Sequence, residues 1–333
     1  MLLTILTLIG GFILLVVGGE LLVRGSVRVA EKLGVSPLLI GLTLVGFGTS
    51  TPELVTSVEA SLIGAPGIAI GNVVGSNIAN ILLILGIAAL IYPLSVSGAA
   101  LRRDGTFVIL TALLFTAAGF TVGLSVTSGI FFIAGLIGYM VFAYRQERNS
   151  ETVLAEGHTA AFDKGEALEQ LDPGIHHKFA ATGLMAWILP IFMAVAGLAI
   201  IIFGGRILVA SAVDLARIIG MSESVIGLTI VAVGTSLPEF ITSVVAALRR
   251  QSDIAVGNIL GSNIYNILGI GGVTGLLAPT AFPVEMLRLD VFVMIGASVL
   301  LFLFARSGMI SRVKGGLMLG AYIGYVGYLL TSG

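Results

Sequence analysis

The chain has 333 residues, of which 57% are hydrophobic and 11% charged, with a formal net charge of -1 and a mean hydropathy of +1.09. No core of that length can hide so much apolar surface, so a soluble globular domain is excluded and lipid is the solvent for much of the chain. The absence of cysteine excludes disulfides, thiolate catalysis and thiolate-bound metals, and no basic patch interleaved with aromatics exists to take nucleic acid.

In chain order, the first element is MLLTILTLIGGFILLVVGGELLVRG, without a basic start or a small-residue cleavage site. It reads as a retained first helix rather than a signal peptide. A bilayer core needs about 20 apolar residues per helix. Spans of that kind fall at 2–23, 36–62, 67–92, 104–121, 126–144, 180–206, 221–248, 254–279, 288–305 and 311–331. Between the fifth and sixth lies the polar segment Arg145–Lys178, which holds all three histidines (His158, His176 and His177) and reads as a solvated linker. The expected fold is therefore an all-α integral membrane protein of ten transmembrane helices.

Lysine and arginine placement orients it. With the N-terminus outside, only Arg206, Arg217 and Arg288 of the 17 basic residues fall on the outer side. Both termini then face outward and the linker is cytoplasmic, in the inner or plasma membrane.

The chain repeats itself. Adding 186 to a residue number in the first half reaches its counterpart: Gly18-Gly19 meets Gly204-Gly205, Gly34 meets Gly220, Ser36 meets Ser222, Glu53 meets Glu239, Asn80 meets Asn266 and Asp104 meets Asp290. The expected division is a first repeat at 1–144, a linker at 145–179 and a second repeat at 180–333. Five helices per half is an odd number, so the halves must be inverted relative to each other, the plan of secondary transporters with midplane sites.

Two polar stretches interrupt the apolar pattern: GFGTSTPELVTS from Gly46 and AVGTSLPEFITS from Ala232. Thr49, Ser50 and Glu53 share one helical face. Pro52 removes a backbone donor and opens the helix beside Gly48, freeing carbonyls that need a partner in a membrane. Thr235, Ser236, Pro238 and Glu239 repeat the arrangement. An intramembrane glutamate is a functional residue by default, and two in matching proline-kinked contexts point to one site. The next helix of each half carries GNVVGSNIAN and GNILGSNIYN. There Ser76 and Asn80 lie one turn apart, as do Ser262 and Asn266, while Asn72, Asn77, Asn258 and Asn263 read as interhelical hydrogen-bond partners or caps. Two carboxylates, hydroxyls, amide oxygens and kink carbonyls, without sulfur or imidazole, suit hard cations such as Ca2+ or Na+. Two ionised glutamates balance one Ca2+ or attract several Na+, the basis of an antiporter. A proton-coupled or potassium-dependent exchanger using the same acids and a cation channel are the competing readings; an enzyme is not expected, because no catalytic pair lies within the spans.

GTSTPE and GTSLPE, each followed by GNxxGSNxxN, resemble the two alpha-repeats of the cation/Ca2+ exchanger superfamily, most closely its prokaryotic sodium/calcium exchangers. The repeats would occupy 41–86 and 227–272. The resemblance implies that Glu53 and Glu239 are shared Ca2+ ligands and that Thr49 and Thr235 add oxygens. It implies further that Ser50, Ser76, Ser236 and Ser262 complete Na+ sites, with carbonyls at Gly46 and Ala232. Asn80 and Asn266 would line the centre. Potassium-dependent relatives have an aspartate at one of these asparagine positions, so two asparagines imply potassium independence. Proton/calcium exchangers usually carry a histidine-containing motif that is absent here. The implied activity exchanges three Na+ for one Ca2+ by alternating access, with the first and sixth helices sliding across the other eight. No cofactor and no obligate protein partner are expected; Ca2+, Na+ and the bilayer are the partners.

Overall fold

Proline and glycine set the breaks in this chain, and uninterrupted apolar runs set its long helices. The computed structural model describes residues 1–33, 48, 50–98, 101–148 and 185–332. Residues 149–179 of the expected linker and residues 34–47, Gly46 among them, lie outside the described residues, as does Thr49.

Helix α1 is Leu2–Lys32, followed by α2, Thr51–Leu62. Helices α3 (Pro66–Ile91) and α4 (Leu101–Thr121) come next, and α5 (Val126–Arg148) ends the first half. The second half opens with α6, Met185–Ile219. Helices α7 (Glu223–Thr235) and α8 (Leu237–Leu248) form one span bent by 50°. Then follow α9 (Ser252–Leu277), the short α10 (Val284–Arg288), α11 (Asp290–Ala305) and α12 (Arg312–Ser332).

Helix boundaries differ from the sequence expectation, most of all at the ends of two helices. Helix α1 continues to Lys32 and α6 to Ile219, beyond the apolar windows that end near 23 and 206. Arg24, Arg28 and Arg217 are therefore on helix rather than in loops. Hydropathy marks where lipid ends, whereas Lys, Arg, Glu and Ala continue a helix readily into the interface.

Inversion is visible in two small antiparallel contacts. Strand β1 (Leu94–Ser95) pairs with β2 (Met309–Ile310), Leu94 opposite Ile310. Leu124 pairs with Thr280. An offset of 186 turns Leu94 into Thr280 and Leu124 into Ile310, so each contact is the repeat image of the other. One lies just before α4 and the other just after it, at opposite ends of a spanning helix. The two halves therefore point in opposite directions.

The same symmetry ties the last helices of each half. The Tyr139 hydroxyl donates to Asp104 Oδ1 at 3.4 Å, and Tyr325 donates to Asp290 Oδ1 at 2.8 Å. All four residues are buried.

At the centre α3 crosses α7 at backbone contact. A Cβ on Gly71 would stand 2.9 Å from the Gly227 carbonyl carbon, and one on Gly75 would stand 2.6 Å from the Leu228 oxygen. Glycine four residues apart lets two membrane helices approach this closely. Helices α1 and α6 lie along each other on one flank, where a Cβ on Gly18 would meet the Ile201 nitrogen at 2.8 Å. Their apolar cluster, including Leu15, Ile201, Leu208 and Ala212, continues into Ala60, Ile68 and Ile226. A second, larger cluster fills the space among α3, α5, α9, α11 and α12.

Candidate functional site

Helices α2 and α8 each begin at the molecular centre with a proline in the first turn, followed by glutamate. Proline suits that position because its missing N–H is one of the donors a helix start leaves unused. Each acid thus sits at the positive end of its own short helix, where a carboxylate is favoured. Glu53 and Glu239 are both fully buried.

The hydroxyl beside each proline serves the other half. Ser50 Oγ donates to Glu239 Oε1 at 3.1 Å, and Ser236 Oγ donates to Glu53 Oε1 at 2.9 Å. These crossed bonds make the two acidic stretches one site. Ser262 Oγ also donates to Glu239 Oε1, at 3.4 Å. Ser76 Oγ reaches the Ala232 carbonyl at 3.4 Å, again across the halves.

Asn72 and Asn258 hold the acids from behind. Asn72 Nδ2 donates to the Glu53 carbonyl at 3.0 Å and to Ser57 Oγ at 2.9 Å. Asn258 Nδ2 donates to the Glu239 carbonyl at 3.3 Å, to Thr242 Oγ1 at 2.8 Å and to Ser243 Oγ at 2.9 Å. The Thr235 hydroxyl donates to Asn72 Oδ1 at 2.9 Å, so this side chain fixes the amide that fixes Glu53. The expected hydrogen-bonding role of Asn72 and Asn258 matches this geometry. Ser57, Thr242 and Ser243 were not singled out from the sequence, although Ser57 and Ser243 obey the same offset of 186.

Asn80 and Asn266 stand one step further along α3 and α9. Both lie in π-helical turns, Ala79–Leu85 and Tyr265–Gly271, where sequence spacing implies plain α-helix. A π-turn inserts one residue and re-aims the side chains around it, a device common at functional positions. Asn80 Nδ2 donates to Asn263 Oδ1 at 3.0 Å, leaving Asn80 Oδ1 buried without a hydrogen bond. Neither polar atom of the Asn266 amide has a hydrogen-bond partner, although the residue is fully buried. Burying an unpartnered amide costs about 1–3 kcal/mol, so the centre carries polar groups that packing alone does not explain.

Of the sequence-selected residues, Glu53, Glu239, Ser50, Ser236, Thr235, Ala232, Ser76, Ser262, Asn80 and Asn266 are buried on the helices that converge here. The donor set is oxygen: two carboxylates, serine hydroxyls and amide oxygens. Among the described residues, no group of three or more His, Cys, Asp or Glu gathers in a metal-holding arrangement, here or elsewhere.

Two inverted five-helix halves meeting at a buried acidic centre, with short helices starting at that centre, define a secondary ion transporter. Comparison with known proteins makes the assignment specific. The sodium/calcium exchanger protein family matches residues 3–145 and 189–331, and the chain belongs to that family, within the cation/Ca2+ exchanger superfamily and its prokaryotic branch. The putative antiporter CaxA of Alkalimonas amylolytica is 35% identical over 336 residues, covering 99% of this chain and 98% of its own. The sodium/calcium exchanger MaX1 of Methanosarcina acetivorans is 36% identical over 350 residues, covering 96% and 97%. A solved structure of the sodium-calcium exchanger NCX_Mj, soaked with zero Na+ and Ca2+, aligns over 98% of this chain and 99% of its own, at 30% identity and a TM-score of 0.58. The ten-span architecture of two inverted repeats is therefore the architecture of this chain. It is a multi-pass membrane transporter and not an enzyme.

Proposed function

We propose that this protein exchanges Na+ for Ca2+ across the membrane by alternating access, and that Glu53 and Glu239 bind both ions in turn. The observation that carries this reading is the crossed Ser50–Glu239 and Ser236–Glu53 pairing. In that pairing each acid accepts from a serine of the other half, which supports one site shared between the halves.

Two ionised carboxylates carry -2. One Ca2+ neutralises them while accepting six to eight oxygens, and several Na+ ions can do the same with the serine hydroxyls. An ion-free site would leave two charges buried without a counter-ion, at a cost of several kcal/mol per ion. Closure around the empty site is therefore suppressed. Only a loaded transporter turns over, which couples inward movement of one ion to outward movement of the other.

The matching family and the named relatives support the ion pair. Ser76, Ser262, Asn80, Asn266, Thr235 and the Ala232 carbonyl complete the proposed ligand set, with Thr49 and Gly46 as its remaining members. The two repeats, 1–144 and 180–333, act as the two halves of the machine. The N-terminus lies outside and the linker is cytoplasmic, a reading supported by the bias of lysine and arginine toward one side.

Radioactive Ca2+ uptake into Na+-loaded proteoliposomes tests the reading against K+-loaded and choline-loaded controls. Uptake that needs internal Na+ and vanishes in both Glu53→Gln and Glu239→Gln is expected. Uptake indifferent to Na+ and driven by a pH gradient would overturn it in favour of proton coupling.

A further inference from the structure

The α1–α6 pair does not treat the two halves alike. Call the side of the molecule bearing the Gly64 turn the Gly64 face, and the side bearing the turn at Arg250 the Arg250 face. Helix α2 runs from the buried acids toward the first and α8 toward the second. Helix α6 seats on α2: a Cβ on Gly205 would stand 2.7 Å from Val55 Cγ1. One residue on, Arg206 Nε donates to Glu59 Oε1 at 3.2 Å, and the Glu59 side chain is only 12% exposed. The repeat images of Gly205 and Val55 are Gly19 and Ile241. A Cβ on Gly19 would instead stand 3.8 Å from the Gly48 carbonyl oxygen, and Ile241 is 50% exposed. The flanking pair thus covers the surface of α2 between the acids and the Gly64 face and leaves the matching surface of α8 uncovered.

Inverted repeats reach their second state when the halves exchange conformations. In that state Gly19 would seat on Ile241, and Gly205 would leave Val55. The packing is exchangeable because glycine and an aliphatic residue recur at both places. The ion pair is not. The image of Arg206 is Glu20, which pairs with Arg24 on its own helix, and the image of Glu59 is Val245.

We propose that Arg206 and Glu59 form a one-sided latch, which favours the state closed toward the Gly64 face and has no equivalent on the other. The proposal rests on the alternating-access reading above. A contact present in only one state shifts the balance by its own strength. For a pair whose arginine is 68% exposed, the shift is modest, about 1.4- to 5-fold in the ratio of states.

The chain contains no cysteine, so single thiols report access directly. Cysteine is placed at Val55 or at Ile241, and its reaction with a water-soluble methanethiosulfonate is followed in proteoliposomes. Arg206→Gln and Glu59→Gln should each raise the labelling rate at position 55 by about 1.4- to 5-fold and lower that at 241. The swapped double variant, Arg206→Glu with Glu59→Arg, should return both rates toward the parent. Raising ionic strength with choline chloride should move the parent in the direction of the single variants. Unchanged labelling in both single variants would overturn the latch, as would a change that the swap fails to reverse. Labelling needs no ion flux, so a failure of the latch is separable from a failure of the Na+/Ca2+ reading, which the uptake assay alone decides.

Discussion

Helices α2 and α8 carry the same pattern, proline then glutamate in the first turn, and make the same kind of bonds. Each acid accepts from the serine of the other half, and each backbone carbonyl accepts from an asparagine of its own half. Their outer coats differ. Val55 lies beneath Gly205, whereas Ile241 stands open. The bonds to the two acids obey the repeat, and the packing outside them departs from it. A transporter needs that division: a site equally good from both sides, and a cover that at any moment closes only one.

The strongest way to break this comparison is to remove one acid at a time. If the site is shared, Glu53→Gln and Glu239→Gln should each reduce Na+-driven Ca2+ uptake by about a hundredfold or more, because each removes half of the buried counter-charge. Losses that differ by more than about tenfold would show that one half dominates.

Next come the asparagines behind the acids. Asn72→Ala leaves the Glu53 carbonyl and Ser57 without their donor, and Asn258→Ala does the same to Glu239, Thr242 and Ser243. Each should weaken Ca2+ binding by about 10- to 100-fold, as loss of an orienting partner commonly does. Calorimetric titration of the purified variants checks this.

Asn266 separates structure from function by sign. Its amide is buried without hydrogen bonds, so Asn266→Leu should stabilise the ion-free protein by about 1–3 kcal/mol. The same change should reduce the rise in Tm that added Ca2+ produces, since ligand stabilisation follows affinity. Thermal unfolding with and without Ca2+ reads both effects, and a variant that gained stability and kept its Ca2+ response would remove Asn266 from the site.

The smallest effect concerns a place where the repeat keeps a backbone shape but changes the residue. Gly64 turns the chain after α2 with φ 75°, and Arg250 does so after α8 with φ 62°. Only glycine adopts that conformation without cost. Arg250→Gly should therefore raise stability by about 1 kcal/mol, less what the Arg250 guanidinium gains over the Tyr92 ring at 5.7 Å. Tm in detergent checks it.

Much of this molecule was readable as a string of letters. Spans followed from hydropathy because lipid leaves the backbone no option but helix. Inversion followed from an odd helix count in each repeat. The acids stood out because a glutamate beside proline in an apolar stretch has few inexpensive explanations. Partnerships were less readable: Ser50 meets Glu239, not its neighbour Glu53, since residues 189 positions apart touch only once the halves have docked. Nor did spacing reveal the π-turns at Asn80 and Asn266, because an inserted residue changes how side chains are aimed without changing composition. Nor did it reveal that the Thr235 hydroxyl lies within hydrogen-bond reach of Asn72 Oδ1 as well as the Val231 carbonyl of its own helix.

Sequence by itself determined the solvent, the repeat and the inversion, and it singled out the two acids as candidates, because each depends on local chemistry or on counting. Tertiary structure alone decided which hydroxyl serves which acid and which face α6 covers. Those depend on how two near-identical halves settle against each other, and a repeat written twice in sequence does not say which copy is closed.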